Sequence, residues 1–319
     1  MKKHLRVNLA GGLANQLNCY FAALYFARKY GYKSITLNSG TVNNIHPFPD
    51  SLLSILPKYV LLKDSKTIMI DLEYKPTNLR LHGFIRSLGP KFYSIFKILY
   101  GILDDTSYLQ LPGNEYHYVC ESQFKHVSLF GLRNIRLNGF FPSQKFYYDL
   151  EPHLKSVESI LNFSKIQPAN ILPIGNINED PYCVLHLRVG EYHSPGRYTF
   201  GVLDETYYLK AISRVQKEHP KMKIWVVSDY ERLALTIYKT LLSQDVTLIG
   251  DSDNKSPLNT FEFIRNATVV ICANSGFSYW AARLSSRMQK TFIPSKLHPT
   301  VAGQKFQPRD WIKIENNFL

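Results

Sequence analysis

Residues 5–37 read LRVNLAGGLANQLNCYFAALYFARKYGYKSITL, and this stretch decides the fold class. Residues 5–10 alternate between apolar and polar positions, the period of a strand. Gly11-Gly12 breaks that pattern. From Asn15 to Tyr30 the period becomes helical, with Leu17, Tyr20, Phe21, Leu24 and Tyr25 at helical spacing. Gly31 stands where a helix ends on glycine, and Ser34 to Leu37 is the next strand. Strand, glycine turn, helix and strand within about 35 residues make a βαβ unit.

A second series of the same kind lies downstream. Tyr182 to Leu187 is a strand, and Glu205 to His219 a helix ended by Pro220. Lys223 to Val227 is a strand and Tyr230 to Leu242 a helix. Val246 to Ile249, Val269 to Cys272 and Thr291 to Ile293 are strands, the last taken as the final one. Asn259 to Asn266 and Gly276 to Leu284 are the helices between them. Such alternation predicts a parallel sheet covered on both faces. Asp149 to Phe163 reads as a helix, and the Pro- and Asn-rich residues 165–180 as a linker. Residues 40–145 carry many aromatics and short periodic pieces, and no element is assigned there. The expectation is an α/β chain of two Rossmann-like domains, 1–165 and 166–319, facing across a cleft.

Composition agrees with this reading. The chain has 319 residues, 45% apolar and 20% charged, which excludes collagen, coiled coil and wholesale disorder. The cysteines Cys19, Cys120, Cys183 and Cys272 lie far apart and form no CxxC pair. Buried thiols in a reducing compartment are expected rather than disulfides or a zinc cluster. Lys plus Arg number 38 against 25 Asp plus Glu, a net charge of +13. That balance attracts nucleic acid, anionic lipid or a phosphorylated ligand. Its basic residues are spread along the chain and carry no DNA- or RNA-binding signature, so nucleic acid is not an expected partner. No apolar run approaches the ~18 residues of a membrane span. The basic start resembles a secretory signal until Arg6, Asn8 and Gly11-Gly12 interrupt it. The run Ile95 to Leu103, apolar apart from Lys97, fits a core or a membrane surface. The sequons at Asn162 and Asn266 matter only in a secreted chain.

Four polar clusters follow strand ends, where open α/β sheets bind ligands. Gly12 and Asn15 belong to the first, Gly11 to Gln16. Its glycines admit backbone N–H groups close to an anion, or the segment is a tight turn with Asn15 as cap. The second is His186 to Tyr192. His186 and Arg188 project to one side of the strand, Arg188 is suited to clamp a phosphate, and Gly190 permits a sharp turn. Alternatively Arg188 belongs to a structural ion pair. The third is Ser228-Asp229, with Asp229 accepting from ribose or base, or capping the helix from Tyr230. The fourth is Asn274, Ser275, Gly276, Phe277 and Ser278, small polar residues opening a helix, suited to phosphate or to simple capping. A rival is Asp251-Ser252-Asp253, an i, i+2 carboxylate pair able to hold a divalent cation on a nucleotide sugar, or a solvated loop. Asp104-Asp105 is a weaker case, and the ten His residues show no metal-ligand spacing.

With these clusters in place, the chain resembles the bacterial α-1,2-fucosyltransferases of glycosyltransferase family 11. Gly11 to Gln16 is similar to that family's GGLGNQ turn, with Ala14 in place of the third Gly. Leu137 to Phe146 is similar to its LxGYFQSEKYF stretch. His186 to Tyr192 resembles HxRRGDY, with Val189 in place of an Arg and Glu191 in place of the Asp. Val227 to Tyr230 resembles FSDD, and Ala273 to Trp280 resembles ANSxFSWW. All five occur in family order. More distant relatives, the α-1,6- and protein O-fucosyltransferases, share the HxR strand and the GNQ-like turn.

The resemblance implies a GT-B fold, GDP-fucose as donor, inversion at the anomeric carbon and no required metal or other cofactor. It implies transfer of L-fucose to a galactose O2 of a glycan acceptor, lipid-linked, in surface polysaccharide or O-antigen synthesis. Donor binding falls to the C-terminal domain and acceptor binding to the N-terminal one. Arg188 would neutralise the leaving diphosphate, helped by Asn274 to Ser278. Asp229 would position the nucleotide together with Ser228. Glu191 would serve as base, and His186 would orient Arg188 or touch ligand. Gly12 and Asn15 would reach the donor. The expected location is the cytoplasm, with peripheral contact at the anionic inner face of the bacterial plasma membrane.

Overall fold

The computed structural model describes residues 4–9, 11–38, 52–73, 117–120, 134–138, 145–166, 180–190, 201–249, 257–299 and 308–319. It divides into two compact units, Met1–Asn162 and Phe163–Leu319.

The first unit contains β1 (His4–Asn8), α1 (Leu13–Tyr30), β2 (Ser34–Asn38), β3 (Tyr59–Leu61), β4 (Thr67–Glu73), β5 (His117–Cys120), β6 (Asn134–Asn138) and α2 (Lys145–Leu150). Its sheet has the order β3-β4-β2-β1-β6-β5. Neighbours are parallel except the antiparallel pair β3–β4. Leu5 and Val7 of β1 are fully buried, in register with Ile35 and Leu37 of β2. Over them lies α1, whose buried face includes Leu17, Tyr20, Phe21 and Leu24. The Tyr20 hydroxyl donates to the Ile160 carbonyl at 2.8 Å, and the Phe21 ring meets Tyr147 edge-on at 4.8 Å. Each such buried side chain contributes about 1.5–3 kcal/mol through its apolar area. Gly31 ends α1 at φ +73°, its N–H donating to the Ala27 carbonyl, the left-handed cap its position predicts.

The second unit contains β7 (Tyr182–Leu187), α3 (Glu205–Glu218), β8 (Lys223–Ser228), α4 (Glu231–Ile237), α5 (Lys239–Leu242), β9 (Thr247–Leu248), α6 (Pro257–Arg265), β10 (Val269–Ile271), α7 (Gly276–Arg283), β11 (Lys290–Pro294) and β12 (Ile312–Ile314). The strand order is β12-β11-β10-β7-β8-β9, and all pairs are parallel. All six residues of β7 are buried, as expected of a central strand covered on both faces. Helix α3 starts on Asp204, whose carboxylate accepts from the Thr206 hydroxyl at 2.8 Å and the Tyr207 amide at 3.4 Å. Its Tyr207 hydroxyl reaches across the sheet to the Cys272 carbonyl at 2.7 Å. Both units are thus α/β, the second sheet wholly parallel and the first parallel except at β3.

The structure departs from the sequence reading in several places. The expected helix from Asp149 to Phe163 is the short α2 followed by a 3-10 turn at Glu151–His153, because Pro152 cannot continue a helix interior. Phe163 packs in the second unit, stacked on Phe261 at 6.1 Å and under the Arg265 guanidinium at 4.1 Å. The unit boundary therefore falls after Asn162 rather than at 165. The expected helix from Tyr230 to Leu242 is two helices broken at Tyr238. That residue leaves helical geometry (φ −109°, ψ 50°) and buries its hydroxyl on the Leu203 carbonyl at 2.7 Å. Strand β12 lies beyond the last strand expected. Strands β3 to β6 lie in the stretch where none was assigned. Most of the expected linker, the run Ile95 to Leu103, Asp104-Asp105 and the rival pair Asp251 and Asp253 lie outside the described residues. Cys19, Cys183 and Cys272 are buried free thiols. Among the described residues no helix is long and apolar enough to cross a membrane.

Candidate active site

In the second unit the chain adds β8 and β9 on one side of β7, then returns to add β10, β11 and β12 on the other. The strand order reverses between β7 and β10, and a crevice opens outside the carboxyl ends of two such strands. Arg188 is the first residue after β7, and α7 opens at the fifth residue after β10. The two segments meet: the His186 ring lies 5.8 Å from the Phe277 ring. Phe277 in turn meets Phe261 edge-on at 5.5 Å. The second and fourth sequence clusters thus share one strand-edge site. A cavity of 670 Å³ around Tyr182, Lys223 and Trp225 opens at the opposite edge of the sheet, away from these groups.

His186 is 5% exposed, and its Nδ1 has no hydrogen-bond partner among the described residues. Burial lowers its pKa to about 3, and the neighbouring Arg188 charge adds to the effect. The ring is therefore neutral near pH 7. So weak a base takes up no proton near pH 7. Its contacts are with Arg188, through charge, and with Phe277. Arg188 is half-buried between Leu187 and Val189, both with no exposed surface.

Asp229 serves the backbone of the neighbouring strand. Its Oδ1 accepts from the Val189 amide at 2.8 Å and its Oδ2 from the Gly190 amide at 3.1 Å. It does not cap the following helix. Instead the Tyr230 amide donates to the Ser228 hydroxyl at 3.1 Å. The cause is geometric. β7 and β8 are paired up to Leu187 and Ser228, and Asp229 is the next residue, beside the outgoing β7 chain. Gly190 is also explained differently. Its φ is not left-handed, but a Cβ there would lie 2.9 Å from Asp229 Oδ2.

The α7 cluster divides. Ser275 is the N-cap, accepting from the Phe277 amide at 3.2 Å. Gly276 and Phe277 form the first turn, where helix N–H groups and the positive end of the dipole favour an anion. Asn274 and Ser278 face inward, against expectation. Asn274 is 5% exposed, and its amide nitrogen donates to the Gly201 carbonyl at 3.1 Å and the Leu297 carbonyl at 3.4 Å. Its nitrogen ties two loops together. Ser278 is fully buried against the Cys272 thiol, which burial pushes up to about 12. Sequence reasoning missed Gly201. Its φ of +74° and the 2.3 Å separation of a Cβ from the Phe318 ring require glycine, and its carbonyl receives Asn274. Its only sequence signal is a glycine shortly before a helix start. Glu191 lies outside the described residues, as does most of the 137–146 stretch.

The first unit has its own reversal, between β1 and β6, and the GGLANQ turn follows β1. Gly11, not Gly12, carries the conformational demand. Gly11 has φ +66°, and a Cβ would lie 2.5 Å from Asn15 Nδ2. Gly12 is an extended N-cap at φ −71°. The Gln16 side chain donates to the Gly11 carbonyl at 3.0 Å. Asn15 sits in the first turn of α1, partly exposed, with its amide over Gly11. Among the described residues no cluster of three or more His, Cys, Asp or Glu is placed to hold a metal ion.

No curated protein sequence matches the chain. Fucosyltransferase NodZ from Bradyrhizobium is similar in structure, with a TM-score of 0.49 at 13% identity over 89% of this chain and 93% of its own. Arabidopsis thaliana FUT1 gives a TM-score of 0.47 at 11% identity over 91% of this chain and 70% of its own. E. coli heptosyltransferase WaaC gives a TM-score of 0.43 at 12% identity over 98% and 92%. Residues 101–315, about two thirds of the chain, match the family described as Glycosyl transferase family 11. They take in β7, Arg188, Asp229 and α7, and the chain belongs to that family.

Proposed function

We propose that the protein is a fucosyltransferase that moves L-fucose from GDP-fucose to a galactose O2 of a glycan acceptor, with inversion and without a metal ion. One observation carries the reading. At the β7/β10 reversal His186 of β7 meets Phe277 in the opening turn of α7 at 5.8 Å, and Arg188 is the first residue beyond β7. Family membership supplies the reaction class, and the five family-like segments supply the donor.

The chemistry follows from where charge develops. As the sugar–phosphate bond breaks, negative charge grows on the leaving diphosphate. Arg188 meets that charge with paired N–H donors, and the α7 amides around Gly276 and Phe277 add a fixed dipole. A cation and a helix terminus together supply what a divalent ion supplies in other transferases. Ser228 stands at the nucleotide side of the same edge. The acceptor hydroxyl attacks the anomeric carbon from the opposite face and gives its proton to a base. Glu191, three residues beyond Arg188, is the proposed base on sequence position. In this proposal the second unit binds the donor and the first serves the acceptor. The net charge of +13 favours work at an anionic membrane surface on a lipid-linked acceptor, in surface polysaccharide synthesis on the cytoplasmic side.

The test is product formation. Purified protein, GDP-fucose, a galactose-terminated oligosaccharide and EDTA should yield a product heavier by one deoxyhexose in mass spectra. Methylation analysis should place the new linkage at galactose O2. Transfer only with added metal, or from a UDP-sugar alone, would contradict the proposal.

A further inference from the structure

The donor site depends on where Arg188 points, and so on how the chain around it is held. The paired ladder of β7 and β8 ends at Leu187 and Ser228, one residue before Arg188. Beyond that point the β7 chain is held by a side chain. Asp229 takes the next two free donors, Val189 N–H on Oδ1 at 2.8 Å and Gly190 N–H on Oδ2 at 3.1 Å. These are the two peptides that follow Arg188. Upstream, Leu187 is anchored in the core, and Val189 is buried completely on the other side. Arg188 is thus gripped from both flanks, on one by packing and ladder, on the other by packing and a carboxylate.

We infer that Asp229 is a positioning residue. It continues the β7–β8 pairing by one step and thereby sets the backbone that aims Arg188 at the diphosphate. The inference rests on the donor reading above and deepens it. Three features support it. The carboxylate offers one oxygen to each of two adjacent amides, which an amide side chain cannot do, since its NH2 group would face an N–H. Gly190 leaves room for this arrangement, because a Cβ would stand 2.9 Å from Oδ2. The Tyr230 amide, which a capping Asp would have taken, is served by Ser228 instead. Asp229 remains exposed at the sheet edge, so a direct contact with the nucleoside is the competing explanation.

Two variants disturb the clamp by different routes. Asp229→Asn removes one of the two acceptors and the charge. Gly190→Ala keeps the charge and displaces the carboxylate. Calorimetric titration with GDP, and with guanosine by displacement, separates the explanations. Both variants should weaken GDP by about tenfold, the loss expected for one charge-assisted contact, and leave guanosine within about twofold. In an Arg188→Ala background, Asp229→Asn should add less than about twofold, because a residue acting through Arg188 has nothing left to act on. Guanosine weakened in step with GDP would overturn the inference, as would additive losses in the double variant. A separate measurement reads the clamp without any ligand. In wild-type protein the Val189 and Gly190 amides should be protected from hydrogen exchange, and both variants should release them. Wild-type protein that binds neither GDP nor guanosine would refute the donor reading. Unprotected amides in the wild type would refute the clamp.

Discussion

Each unit reverses its strand order beside its first strand, and the two place different chemistry at the reversal. In the first, between β1 and β6, the turn is neutral: Gly11 at φ +66°, Asn15 laid over it, and Gln16 bonded back to the Gly11 carbonyl. In the second, between β7 and β10, the edge holds a guanidinium, a carboxylate clamp and the capped start of α7. The two reversals thus give one turn shaped by conformation and one shaped by charge. The lesson is that the crevice comes with the fold, and its specialisation comes from a few residues at strand ends.

Variants can break this contrast, beginning with the charged edge. Arg188→Ala should lower kcat/KM for GDP-fucose by at least ~100-fold, a few kcal/mol of transition-state stabilisation. Arg188→Lys, which keeps charge and loses the paired geometry, should recover only part of it. Steady-state kinetics of the three proteins check both statements. The neutral turn should respond through stability. Gly11→Ala combines a left-handed φ with a Cβ only 2.5 Å from Asn15 Nδ2, and should cost about 2–3 kcal/mol of unfolding free energy. Gly31→Ala has the same sign of φ and nothing within 4 Å, and should cost about 1 kcal/mol. Urea unfolding compares them; equal costs would mean that the Asn15 contact is irrelevant.

The third expected effect is acid sensitivity. His186 has a folded pKa of about 3, below its ordinary value near 6.5. The unfolded chain therefore binds the proton first, and stability falls as pH drops from about 6.5 toward 3. At pH 7 the contribution is intact. His186→Gln removes this titration, so the difference between wild type and variant in unfolding free energy should narrow between pH 7 and pH 4. A constant difference would show that the ring is not held neutral.

How much of this was legible beforehand follows from what each element depends on. β7 and α1 were readable because six consecutive buried residues, or a helical apolar period ending on Gly31, are local signals. The break at Tyr238 was not, because it depends on the Leu203 carbonyl, distant in sequence. Strand β12 is three residues long and gains its meaning from pairing with β11. At the site, the strand end at Arg188 and the helix cap at Ser275 were legible, since both are local. The backbone bonds of Asp229 and the burial of Asn274 and Ser278 were not, because a polar residue near a strand end serves ligand or backbone equally well by sequence. Only the partner decides: two amides for Asp229, two carbonyls for Asn274, a buried thiol for Ser278.

The central claim is that the charged edge of the second unit binds a guanosine diphosphate sugar without metal. Calorimetric titration of the whole protein with GDP and with UDP, each in EDTA, tests it most directly. The account predicts binding of GDP that EDTA leaves unchanged, with UDP much weaker. UDP binding that disappears in EDTA would contradict it and return attention to Asp251 and Asp253.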